Sequence, residues 1–346
     1  MSDTRVARVR TAAPTLHDVA HEAGVSLATA SRVLNGSTRK VAESYRERVQ
    51  DAASRLGYTA NLSAQATARG TSAIIALLVA DIADPYFGQI AAGVARGADE
   101  AGLVVTIATT ERDAEREQRV IHALRGQRPR GIILAASRTA ESARDELQAE
   151  LEAIADAGSR IVVVGPPADG LRAVTVDNRG GARALGAALA ERGYREAVIL
   201  AAAEGVRTSD DRIVGFTEGF TAEGGTVARI HRGDFSREAG ERLAAEALAA
   251  GVAPGTVLFG VSDVVAIGAM SGIRAAGREV GADVAVAGFD DIPTGRDVTP
   301  SLTTVRVPLD ALGFETFRAA TLDDWSGQAA FDLEVVVRES TPTRAA

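Results

Sequence analysis

The 346-residue sequence contains no cysteine. That excludes disulfides, thiol nucleophiles and cysteine metal sites, and it suits a reducing compartment. No apolar run approaches the roughly 20 residues of a membrane span, and Met1 to Arg10 lacks the apolar core of a signal peptide. The common enzyme signatures are missing too. There is no Gly-x-Gly-x-x-Gly after the first expected strand, no phosphate loop ending Gly-Lys-Ser/Thr and no Gly-x-Ser-x-Gly elbow. These absences lead us to expect a soluble cytoplasmic protein that is not an enzyme and carries no cofactor or metal. Hydrophobic residues at 46% and charged residues at 24% give ample material for folded cores, and the length suits about two or three domains.

What is present is unevenly placed. Residues 1–70 hold ten Lys and Arg against six Asp and Glu, whereas the remainder holds 28 against 40. A basic terminal module on an acidic body fits a polyanion contact confined to that module. Within it, Thr15 to Asn35 reads as two capped helices and a tight turn. Thr15 is the expected N-cap, with Asp18 three residues on, and Val19, Ala20 and Ala23 form an apolar face. Gly24 ends the first helix, Val25 plugs the gap and Ser26 caps a second helix that turns Ala30, Val33 and Leu34 inward. Leu27, Ala28, Thr29, Ser31 and Arg32 then face outward near the start of that helix, where a helix-turn-helix reads base edges in the major groove. Arg32 suits guanine, because a guanidinium donates to both O6 and N7. His17 and His21 lie one turn apart, but no third ligand accompanies them, and His17 is expected to face a phosphate.

From Ile74 onward, short β-branched runs alternate with Ala-rich amphipathic stretches, the pattern of parallel βαβ units. Strands are expected at 74–79, 104–108, 131–134, 161–164, 197–200, 227–230, 257–259 and 284–287. A break from Pro166-Pro167 to Asp177 favours two sheets over one. A small molecule would bind between them at their carboxyl edges.

The chain closely resembles the LacI/GalR family of bacterial transcriptional repressors. The resemblance rests on Thr-Leu-x-Asp-Val-Ala-x-x-Ala-Gly-Val-Ser from Thr15, Ser31-Arg32-Val33-Leu34-Asn35, Arg55-Leu56-Gly57-Tyr58 and Asn61. It continues through Asp84-Pro85-Tyr86-Phe87, Val176-Asp177-Asn178, Arg212 to Phe216, Gly288-Phe289-Asp290-Asp291, Pro300 to Thr304 and Arg338-Glu339-Ser340. It implies an α/β protein with a small all-α N-terminal domain: a helix-turn-helix headpiece at 1–60, a hinge helix and linker at 61–71, and an effector-binding and dimerisation domain at 72–346. The last would comprise two doubly wound, periplasmic-binding-protein-like subdomains, one from 72–176 and 306–330, the other from 177–305 and 331–340.

The resemblance also implies roles. Thr15, Ser26, Ser31 and Asn35 match backbone-contacting positions, and Leu27 and Ala28 match positions that set operator specificity; being apolar, they suit a thymine methyl. In the hinge, Asn61, Ala64, Thr67 and Arg69 would meet DNA, with Ala60 where the family has Pro and Thr67 where it has the Leu that wedges between base pairs. The effector pocket would draw on Tyr86, Phe87, Arg212, Phe235, Ser262, Asp263 and Asp290, with Ser262 in place of a usual Asn. Together these imply a regulator, as a repressor, that binds a palindromic operator as a homodimer under control of a sugar or related polyol, with a nucleoside as the less favoured effector. A sugar-binding protein without DNA function is the alternative.

Overall fold

The computed structural model describes residues 14–34, 41–59, 72–136, 145–166, 170–327 and 331–344. The chain divides into two compact units, Met1–Ser72 and Ala73–Ala346.

The first unit contains α1 (Leu16–Glu22), α2 (Leu27–Leu34) and α3 (Glu43–Leu56). Its local rules are legible residue by residue. Thr15 and Asp18 form a reciprocal capping box: the Thr15 amide donates to Asp18 at 2.8 Å and the Asp18 amide to the Thr15 hydroxyl at 3.3 Å. Gly24 takes φ +62°, which a side chain would resist, so α1 stops there. Ser26 accepts from the Thr29 amide at 3.1 Å and starts α2. Val19, Ala20, Ala23 and Ala30 close on Val49, Ala52 and Ala53 of α3, a core of small side chains that lets three helices approach closely.

The second unit alternates strands and helices. Its first lobe begins β1 (Ile74–Val79), α4 (Pro85–Glu100), β2 (Val104–Thr109), α5 (Ala114–Arg125), β3 (Gly131–Leu134), α6 (Asp145–Asp156), β4 (Arg160–Val164) and β5 (Arg172–Val174). The chain then runs through α7 (Asn178–Glu191), β6 (Glu196–Ala202), α8 (Arg207–Ala222), β7 (Thr226–Gly233), α9 (Arg237–Ala249), β8 (Val257–Gly260), α10 (Asp263–Ala275) and β9 (Ala285–Ala287). It ends with α11 (Thr294–Asp297), β10 (Thr304–Arg306), α12 (Leu309–Thr321) and β11 (Glu334–Val336).

Two sheets result, ordered β2-β1-β3-β4-β5 and β7-β6-β8-β9, and every pairing within them is parallel. Helices cover both faces, so central strands such as β1 and β3 are almost wholly buried and read as unbroken apolar runs. The segment expected as a break, 166–177, holds β5 and so extends the first sheet by one strand. An antiparallel ribbon of β10 and β11 lies where the chain passes between lobes. Helix α12 returns to the first lobe, where it packs along α4 and against β3, β4 and β5.

At the carboxyl edges, the loops end in helix caps: Asp84 accepts from the Tyr86 amide at 2.9 Å, Asp113 from Arg116 at 2.6 Å and Ser236 from Ala239 at 3.1 Å.

Candidate functional site

In the first unit, α2 exposes Leu27, Ala28 and Arg32, with Leu27 47% accessible. Thr29 and Ser31 are half-buried; the Thr29 hydroxyl lies 2.8 Å from that of Ser26. Thr15 and His17 are exposed on α1 and its cap. Arg48 on α3 donates to the Gly24 carbonyl at 3.4 Å and lies over the Tyr45 ring, tying the third helix to the turn. Asn35, Asn61, Ala64, Thr67 and Arg69 lie outside the described residues.

In the second unit, the cleft is built from the carboxyl ends of both sheets. A small cavity of about 20 Å³ is lined by Tyr86, Phe87, Arg212, Phe235, Ser262 and Asp290, together with Asp84, Arg112 and Thr208. It adjoins two larger cavities, about 300 Å³ beside Pro85 and Thr294 and about 410 Å³ beside Glu111 and Ala203, and all three share Phe235. Six of the seven residues expected to meet an effector therefore converge. Asp263 does not line this space. It is 0% exposed, with its carboxylate accepting from Thr304 Oγ1 at 2.6 Å and from the Ile292 amide at 2.8 Å, so it braces the loop that carries Asp290. Burial pushes its carboxyl up to about 6, against those two hydrogen bonds.

Arg212 and Asp290 hold each other. Arg212 is 2% exposed and Asp290 3%, with 2.8 Å between guanidinium and carboxylate. Arg212 also donates to the Asn178 side chain at 2.9 Å and to the Val261 carbonyl at 2.7 Å, and lies 3.9 Å above the Phe289 ring. Burial pushes the Asp290 carboxyl well above its ordinary range, opposed by the Arg212 charge. Burial likewise raises the Tyr86 hydroxyl and the Asp84 carboxyl. Ser262 caps α10 through a long 3.5 Å bond from the Val265 amide, so its own hydroxyl proton is available to the pocket.

Asp290 and its neighbour Asp291 both adopt positive φ, 121° and 57°, uncommon for non-glycine residues. The wholly buried Asp291 carboxylate accepts from Arg306 at 2.8 Å, Arg338 at 2.5 Å and Arg296 at 3.1 Å. Burial opposes its ionisation, but the three guanidinium groups hold the carboxyl below its usual range.

Three pocket residues have no counterpart among the sequence expectations. Asp84 carried a signal, since Asp before Pro at the first helical position marks an N-cap. Arg112 and Thr208 carried none: they belong to no motif, and only the fold brings them to the cleft.

The comparisons with known proteins agree with this architecture. Residues 15–61 match the model of bacterial regulatory proteins of the lacI family, and residues 187–341 match a periplasmic binding protein-like domain. The HTH-type transcriptional regulator DegA of Bacillus subtilis is 30% identical over 336 residues, covering 94% of this chain and 98% of its own. The ribose operon repressor of Halalkalibacterium halodurans is 33% identical over 302 residues, covering 86% and 87%. Among solved structures, the lac repressor dimer bound to operator and the anti-inducer ONPF superposes with a TM-score of 0.78 at 26% identity, covering 95% of this chain and 99% of that one. A headpiece with an exposed second helix, two parallel-sheet lobes and 30% identity over nearly the whole chain to a named regulator lead to one assignment: the chain belongs to the lacI family of bacterial regulatory proteins and is a DNA-binding transcriptional regulator.

Proposed function

We propose that the chain is a repressor that binds a palindromic operator as a homodimer, and that a sugar or related polyol in the cleft sets its operator affinity. The cleft carries this reading. It joins an aromatic ring, Phe235, to a forked cation and a carboxylate, Arg212 and Asp290, at the meeting of two lobes. Rings stack on sugar faces, and such charged pairs bind hydroxyls by both donating and accepting. Solved relatives include a transcriptional regulator CelR–cellobiose complex, 30% identical with a TM-score of 0.65. A ligand that prefers one lobe orientation changes DNA affinity by a coupling of typically about 1–3 kcal/mol.

The free sheet edges support dimerisation. Val104 and Ile107 on β2 are 54% and 40% exposed, and Ile230 on β7 is exposed as well, apolar edge positions that a partner would cover. Arg32 on the exposed face of α2 is assigned to base reading, with Thr15, Ser26 and His17 holding the backbone.

The test is a thermal-shift screen of sugars, polyols and nucleosides, followed by operator binding with each hit. A ligand that stabilises the protein and alters operator affinity is the expected result; stabilising ligands that leave operator affinity unchanged would refute the regulatory role. On operator DNA, Arg32→Ala should remove about 1–3 kcal/mol of specific binding while binding to random DNA persists.

A further inference from the structure

The two cleft arginines, Arg212 buried and Arg112 half-buried, are unlike in their partners. Arg212 is surrounded by acceptors from its own lobe. Arg112, from the β2–α5 loop of the first lobe, makes no hydrogen bond or ion pair among the described residues, and its Nε is buried without a partner. Its guanidinium instead lies 5.0 Å above the ring of Phe235, which belongs to the second lobe. Glu111 and Arg112 both hold φ of 55°, a left-handed conformation that costs a non-glycine residue energy and clusters at ligand clamps. The loop is pinned there by the Glu111 amide on the Ala80 carbonyl at 3.0 Å and by the Asp113 cap of α5.

The charges around Arg112 decide what it can take. Six carboxylates line the three cavities against three guanidinium groups. Asp290 is matched by Arg212 and Glu111 by Arg116, which leaves Asp81, Asp84, Asp234 and Glu238 facing Arg112 and Arg237. A phosphate or carboxylate entering this space would meet Arg112 but also an excess of like charge well within a Debye length. An uncharged hydroxyl or ring oxygen brings an acceptor for Nε without that repulsion, and a hydroxyl's proton suits the carboxylate oxygens that remain unpaired by a guanidinium.

We infer that Arg112 is the group by which the first lobe recognises the effector, donating to an oxygen of an uncharged polyol and excluding phosphorylated or acidic sugars. This rests on the effector reading above and adds the ligand's charge and its contact with the second wall of the cleft. A hydroxyl or ring oxygen placed there would give the buried Nε an acceptor.

The experiment compares wild type with Arg112→Met, which keeps an apolar contact on Phe235 but removes the donors. Ligand-free melting comes first, then thermal shifts with D-ribose, cellobiose and further neutral aldoses and alditols, each beside its phosphate or aldonic acid. Hits are titrated by calorimetry. We expect unchanged ligand-free melting, a wild-type shift with a neutral sugar and none with its anionic counterpart, and a loss of about tenfold or more in affinity in the variant. Three results would overturn the inference: tighter binding of a sugar phosphate or aldonate than of its neutral parent, a variant affinity within twofold of wild type, or a ligand-free variant that melts several degrees lower, which would make Arg112 a structural tie between lobes. Wild type that answers to no polyol at all fails the effector reading itself, and that flat profile is distinct from a sugar that binds both proteins equally.

Discussion

The two walls of the cleft are built by the same device, helix N-termini at the carboxyl edge of a parallel sheet, yet they differ in how complete they are. The second lobe holds Arg212 with three protein partners, Asp290 fixed against it and Asp263 bracing the loop from below. The first lobe contributes a raised Asp84 carboxyl and an Arg112 with an unmet nitrogen on a strained loop. One wall is held largely by its own hydrogen bonds; the other presents a buried donor, Arg112 Nε, with no partner among the described residues. Under the proposed function, an occupant would give the first lobe a contact for Arg112 that the lobe does not make for itself.

The largest expected effect tests the completeness of the second lobe. Asp290→Ala strands a buried guanidinium, which keeps its charge in proteins, and should cost about 3–5 kcal/mol in urea unfolding. Arg212→Met strands only a carboxyl that burial has already pushed upward, so Asp290 takes a proton and the loss is smaller near pH 5 and grows as pH rises. Equal losses for the two variants at all pH values would show that the pair is not the electrostatic centre of this wall.

Next in size is a pH effect on the bracing group. The Asp263 carboxyl, raised from 3.8 to about 6, favours its protonated form in the folded state. Its contribution to stability is therefore present below about pH 4 and lost as pH rises through about 6, a change of roughly 3 kcal/mol for this wholly buried group. Asp263→Asn should flatten the stability profile across that window, as followed by melting temperature at each pH. A profile that keeps its slope in the variant assigns the titration elsewhere.

Packing offers a control in which the lobes should behave alike. A Cβ on Gly219 of α8 would run into the Arg183 carbonyl of α7, and one on Gly93 of α4 would run into the Asp310 carbonyl of α12. Gly219→Ala and Gly93→Ala should each cost about 1–3 kcal/mol, measured by chemical denaturation. A large difference would mean that the contrast between lobes extends into their cores and is not confined to the cleft.

The smallest effect probes strain in the first lobe. Glu111→Gly accommodates φ of 55° freely and should raise stability by up to about 1 kcal/mol, less whatever its exposed contact with Arg116 supplies. A clear loss of stability would show that the loop is not strained in the ligand-free protein.

The sequence made visible what local chemistry dictates. The capping box at Thr15 and Asp18, the stop at Gly24 and the apolar runs at 74–79 and 131–134 follow from neighbours within a few residues, and the structure places them where those rules put them. Strands β5, β10 and β11 have three residues each, too few for a two-residue alternation to register; β9, equally short, shows only because it lies in the apolar run Val284 to Ala287. The pairing of Arg212 with Asp290 crosses 78 positions, and the left-handed Glu111-Arg112 step has no glycine to announce it. Asp263 stood next to a pocket residue in the sequence, but the first turn of α10 directs it beneath the cleft floor.

The Asp290-Asp291 step has a mechanical meaning. The Asp290 amide donates to the Val305 carbonyl at 2.8 Å and its carbonyl accepts from the Val307 amide at 3.3 Å, while Asp291 is clamped to Arg306 on the same strand. Residues 305–307 are the chain's own passage into α12 and the first lobe. The loop that carries Asp290 and the passage into α12 are thus one stitched piece of backbone. A bend at the passage cannot leave the Asp290 carboxylate where it was, and a displaced carboxylate pulls directly on the passage.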